Sequence, residues 1–166
     1  DMGSPILDVA RLLFGQAHTP YCQVQRDHAD ARGELVATVM MTMGGGMTVV
    51  CNISYASRTE RERFPQTEIF VEGEQGSLEL ATDYVIRVTT RDGTHARRFP
   101  PPRYSWADPA YDLVHSSLVP CNANVLQALR GQGQAETTGK DNLKTVRLVV
   151  GAYQAAQTGQ AMRSEN

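Results

Sequence analysis

Apolar side chains recur at helical spacing near the start of the chain, at Ile6, Leu7, Ala10, Leu13 and Phe14. This is the signature of a helix with one buried face, and Asp8 and Arg11 fall on its other, polar side. In "SPILDVARLLFG", Ser4 suits the N-cap, Pro5 the first helical position and Gly15 the end. From Pro20 to about Phe99 the period changes to two. "YCQVQRDH" is a weak strand, whereas "ELVATVMMTM" and "MTVVCNISY" on either side of Gly44-Gly45-Gly46 predict a hairpin. Further hairpins follow, "TEIFVEG" and "SLELAT" around "GEQG", then "YVIRVTT" and "HARRF" around Asp92-Gly93. Hairpins in succession with no helix between them predict an antiparallel sheet.

The segment "RFPPPRYSWADP" breaks the alternation and reads as an extended loop carrying aromatic residues. Asp108-Pro109 then predicts a helix start, Pro120 a kink or division, and Gly131 an end. In the last helix Thr138 and Asp141 have capping-box spacing, and Leu143, Val146, Val149, Val150, Tyr153 and Ala156 form an apolar stripe that stops before Gly159. The fold class is therefore α+β: an open, mostly antiparallel β-sheet of about six strands with helices packed on one face. "VMMTM" is apolar on both sides of its strand, which predicts a second cover on that part of the sheet, such as another subunit.

A length of 166 residues fits one domain, 1–166, with its own core. Sixteen basic against eighteen acidic side chains, with no basic run, give no electrostatic reason to expect nucleic acid or an anionic membrane as partner. No stretch approaches the roughly 20 apolar residues of a membrane span. Cys22, Cys51 and Cys121 are odd in number and widely spaced, which suits free thiols in a reducing cytoplasm rather than a disulfide framework or zinc site. His18, His28, His95 and His115 lack metal-ligand spacing, so no metal is expected. A dinucleotide cradle needs glycines between a strand and a helix. Gly44-Gly45-Gly46 joins two strands and "GQGQ" follows a helix, so no cofactor-binding residue is assigned in this chain.

Taken together, three stretches carry a resemblance. "DMGSPILDVARLLFG" resembles the D-x-G-x-H-x-x-D segment that opens the C-terminal domain of the Gfo/Idh/MocA oxidoreductases. "IFVEGEQGSLEL" resembles that family's hairpin, and "AETTGKDNLKTVRLVVGAYQAAQTGQ" its closing helix. The resemblance implies an N-terminal Rossmann domain, absent from these residues, that binds NAD or NADP and carries a catalytic lysine. It further implies hydride transfer at a carbinol carbon of a sugar or polyol, and homo-oligomers built through the sheet face. In the family pattern the catalytic aspartate falls on Asp1 and the histidine on Pro5, and proline moves no side-chain proton. Asp1 is either a substrate-orienting group or a solvated terminus. Asp8, the later aspartate of the motif, anchors the helix by hydrogen bonding.

Among the remaining residues His115 is the candidate base or hydroxyl ligand, because imidazole titrates near neutrality and both donates and accepts; the alternative is a histidine hydrogen-bonded at a helix surface. Tyr104 and Trp106 either stack on a sugar face or pack over the sheet edge. Arg58, with Arg61 and Arg63, faces either an acidic ligand or solvent. Two functions follow. The chain is the substrate-recognition and oligomerisation domain of an NAD(P)-dependent sugar or polyol dehydrogenase, inactive alone; or it is a non-enzymatic binding or assembly module with a vestigial cleft, which Pro5 favours.

Overall fold

The computed structural model describes residues 3–26, 33–58 and 67–162. In chain order the elements are α1 (Gly3–Phe14), β1 (Ala17–Gln25), β2 (Val36–Met43), β3 (Thr48–Ser54), β4 (Ile69–Gly73), β5 (Gly76–Ala81), β6 (Val85–Thr90), β7 (Gly93–Arg98), α2 (Asp112–Leu129) and α3 (Gly139–Thr158). A single 3-10 turn, Thr82–Tyr84, separates β5 from β6. They form two compact units, one of Asp1–Arg58 with Thr137–Asn166 and one of Thr59–Glu136. The α+β class and the antiparallel hairpins hold, while the strands number seven among the described residues and are shared between sheets of three and four.

In the first unit β1, β2 and β3 pair antiparallel in that order, with Val39 opposite both Cys22 and Cys51. The turn between β2 and β3 closes with Met43 N–H donating to the Met47 carbonyl (2.8 Å), and Gly46 takes the positive φ of 82° that this turn needs. Val39, Met41 and Met43 point into the core with Leu7 and Ala10 of α1 and Leu148, Ala152 and Ala155 of α3. On the opposite face Met40 and its partner Val50 are exposed, so the two-sided character of "VMMTM" survives as an uncovered apolar pair.

α3 obeys its punctuation but not its predicted face, and Ser4, expected as the N-cap of the first helix, lies inside α1, which already includes Gly3. The Thr138 hydroxyl accepts from Asp141 N–H (3.2 Å), and Gly159 ends α3 at φ 69°. The core side of α3 is Thr145, Leu148, Ala152 and Ala155, whereas Leu143, Val146, Val150 and Tyr153 from the predicted stripe are exposed. Small residues let the helix lie close to the sheet, and the bulkier set forms a second apolar face pointing outward. Leu13, assigned to the buried face of α1, is likewise exposed.

Arg11 departs furthest from expectation. Its side chain is only 7% exposed and donates to Asp8, to the Thr145 hydroxyl and to Asp141 (2.9 Å), while Thr145 donates in turn to Asp8. The supposed polar side of α1 therefore faces α3, and an ionic network replaces solvent there.

In the second unit β4, β5, β6 and β7 pair antiparallel in chain order. The register puts Ile69, Leu80 and Ile86 in one cross-strand row and Val71, Leu78 and Val88 in the next, on the same face. The other face carries the Arg87–Glu79 ion pair (2.8 Å) and a Thr89–Thr94 hydroxyl pair (2.9 Å). A Cβ at Gly76 would lie 2.0 Å from the Thr89 carbonyl oxygen, so only glycine fits where β5 begins. The helix predicted from Asp108 begins at Asp112 instead, because the Asp108 carboxylate accepts from Ala110 N–H (2.9 Å) and its carbonyl from Tyr111 N–H (2.9 Å), closing a turn. Pro120 lies inside α2 without dividing it.

Candidate functional site

The loop before α2 and the first turn of that helix bring together three residues singled out from the sequence. Tyr104 accepts a backbone hydrogen bond from Ala107 (3.0 Å), a turn that folds Trp106 back over the Tyr104 ring at a centroid distance of 5.5 Å. Trp106 stacks on His115 at 6.2 Å, and Tyr111, one helical turn before His115, lies against the same imidazole at 6.1 Å. The result is a row of four rings, with Trp106 and Tyr111 each 62% exposed. Arg103 pairs with Asp112 at 3.2 Å at the base of the helix and braces the incoming loop. His115 Nδ1 and the neighbouring Ser116 hydroxyl are shielded and have no hydrogen-bond partner among the described residues. Flat exposed ring faces can take the C–H face of a sugar. Tyr111 was not anticipated, although its spacing of four from His115 on a helix is a legible signal.

Other predicted residues lie elsewhere. Arg58 is exposed just past the end of β3, in the first unit. Pro5 is exposed in the first turn of α1. Asp8 is engaged by Arg11 and Thr145, a helix anchor. Asp1, His28, Arg61 and Arg63 lie outside the described residues.

The first unit also contains a hollow of about 300 Å³ beneath the start of α1, between the helix pair and the sheet. Leu7, Val39, Ile53 and Ala152 contribute to its apolar wall. Glu34 and Tyr153 stand in the same wall, the phenol donating to the carboxylate at 2.6 Å. That bond holds the Glu34 carboxyl below the usual carboxylate range, against burial, and raises the Tyr153 phenol above its ordinary value. Burial, reinforced by the Glu34 charge, pushes up the thiol of Cys22, which lines the hollow, and burial alone does the same to Cys51 in the core. A second hollow of about 360 Å³ shares Val24 and Tyr153 with the first and adds Arg26 and Gln157.

Among the described residues no group of three or more His, Cys, Asp or Glu side chains is placed to hold a metal ion, and no helix is long and apolar enough to cross a membrane. No glycine-rich turn joins a strand to a helix N-terminus there, the triple glycine serving the β2–β3 hairpin, so no dinucleotide phosphate cradle of that kind lies among the described residues.

Antiparallel hairpins follow one another between a first helix, α1, and a long last helix, α3, the α+β order of elements set out above. Residues 1–79, just under half of the chain, match the GFO/IDH/MocA C-terminal domain. A D-apiose dehydrogenase of Paraburkholderia graminis is 39% identical over 162 residues, 98% of this chain and 43% of that protein. A D-apiose dehydrogenase of Rhizobium rhizogenes is 32% identical over the same share of this chain and 47% of its own length. The crystal structure of an oxidoreductase from Agrobacterium radiobacter, in complex with NAD+, L-tartaric acid and magnesium, superposes with a TM-score of 0.91 at 32% identity, covering 98% of this chain and 48% of that one. The chain thus spans about half the length of the relatives it matches.

Proposed function

We propose that the chain is the substrate-recognition and oligomerisation domain of an NAD(P)-dependent dehydrogenase acting on a sugar or polyol, D-apiose being the first substrate to test. The observation that carries this reading is the end-to-end match to two D-apiose dehydrogenases over 98% of the chain. That match runs through both compact units, which supports treating 1–166 as one functional domain. In this reading NAD or NADP is held by a separate nucleotide-binding domain, and no step at the nicotinamide is assigned to residues of this chain. The work of these residues is to bind and orient the substrate: Trp106 and Tyr104 offer ring faces, and His115 meets a hydroxyl. The apolar face of the four-stranded sheet, where Leu78 and Val88 remain 39% and 40% exposed, is the surface through which copies associate. A reducing cytoplasm suits its three free thiols.

The test is NAD(P)H formation by the complete reading frame containing these residues, with D-apiose and a panel of aldoses and polyols, alongside the purified 166-residue chain. The complete protein is expected to reduce the cofactor and the isolated chain to leave it unchanged. Trp106→Ala should raise KM about tenfold, the worth of one aromatic face. Absence of turnover with every sugar and polyol would replace this reading by the assembly module, which Pro5 at the family's histidine position favours.

A further inference from the structure

The hollow under α1 lies apart from the ring row in the chain's organisation, since every residue that lines it belongs to the first unit. Its chemistry is asymmetric. One end is walled by Leu7, Val39 and Ile53, and the other carries the Glu34–Tyr153 pair. The Tyr153 hydroxyl donates its hydrogen bond to Glu34, which leaves lone pairs on both groups to accept from a ligand. Beyond Tyr153 the adjoining hollow supplies donors, the Arg26 guanidinium and the Gln157 amide. Acceptors and donors side by side match hydroxyl groups, which do both, better than a carboxylate or an ammonium, which do only one. The volume of about 300 Å³ is at the small end of ligand pockets and suits a compact ligand.

We propose that this hollow binds a compact sugar or polyol, its hydroxyls on Glu34 and Tyr153 and its C–H edge against Leu7, Val39 and Ile53. The ligand class rests on the proposed dehydrogenase function; the location and the residues do not. Glu34 and Tyr153 are thus recognition residues for hydroxylated ligands in a unit to which the ring row does not belong.

The test uses the purified chain with D-apiose and xylitol as probes, read by saturation-transfer NMR and by titration of backbone amide shifts. Glu34→Gln keeps an acceptor for the Tyr153 hydroxyl but removes the charge, and should weaken binding about tenfold, the scale of a hydrogen bond to a charged group. Val24→Phe fills the space shared by the two hollows and should abolish binding, with thermal unfolding and circular dichroism confirming that each variant is folded. Wild-type affinity in both variants would overturn the proposal. If Trp106→Ala then removes binding, the ligand sits on the ring row and the proposed function stands without this hollow. A wild-type chain that binds neither probe also overturns the proposal, while turnover by the complete protein decides the function independently.

Discussion

Arg11 is the side chain on which the helix pair of the first unit depends. Withdrawn from water, it holds Asp8 on its own helix and reaches across to Thr145 and Asp141 of α3. Arg11→Met keeps the aliphatic packing but removes the guanidinium from Asp8, Asp141 and Thr145, leaving Asp8 the Thr145 hydroxyl and Asp141 only the more distant Lys144 (3.9 Å). Unfolding free energy should fall by about 2 kcal/mol, measured from urea midpoints, toward the low end for buried pairs because the two aspartates retain solvent contact. The Glu34–Tyr153 bond makes a different prediction, in pH. Glu34 has its folded value lowered, so its contribution is present above the unfolded carboxylate value of about 4.3 and is lost as pH falls through the folded value. Tyr153 has its folded value raised, so its contribution is present below about 10 and is lost as pH rises through the folded value. The stability gap between wild type and Tyr153→Phe should therefore be widest near neutrality and close at both extremes, as thermal melts across pH will show.

At the scale of elements, Gly76 is the sharpest constraint, because any side chain there meets the Thr89 carbonyl. Gly76→Ala should cost more than about 2 kcal/mol and open the β5–β6 pairing, visible as lost amide-exchange protection in those strands. Strands were legible in the sequence because alternation in "SLELAT" or "TVVCNIS" maps directly onto the faces of a pleated sheet. Helix existence and caps were legible too, from Thr138, Gly159 and Gly15. Which side of a helix meets the core was not. α3 has two apolar stripes, and periodicity cannot say that the one with alanines lies on the sheet while Val146 and Val150 look outward. Arg11 was misplaced for the same reason, since a charge reads as solvent-facing until a partner such as Asp141 is known. In the candidate site, Tyr104, Trp106 and His115 stood out as chemistry-bearing residues in or beside an irregular loop. Their stacking into one row, and the pairing of residues as distant as Glu34 and Tyr153, depend on tertiary closure that no local pattern encodes.

For the whole molecule the proposed association through the four-stranded sheet predicts a mass change. Replacing Leu78 and Val88 together by lysine puts two charges on the apolar rows of β5 and β6, and light scattering should then report a smaller species than wild type with unchanged circular dichroism. An unchanged mass would remove this face from the assembly. The layout of the first unit, whose two parts are separated in the chain by Thr59–Glu136, also governs how the protein is born. On a ribosome, β1 to β3 emerge while the helix that completes their cover is still unmade, and the delay is on the order of ten seconds at ordinary elongation rates. Throughout that interval Val39, Met41 and Met43 lie on a face lacking α3, a sticky nascent surface. Chaperone dependence during synthesis, rather than low final stability, is the cost of closing this core with its last helix.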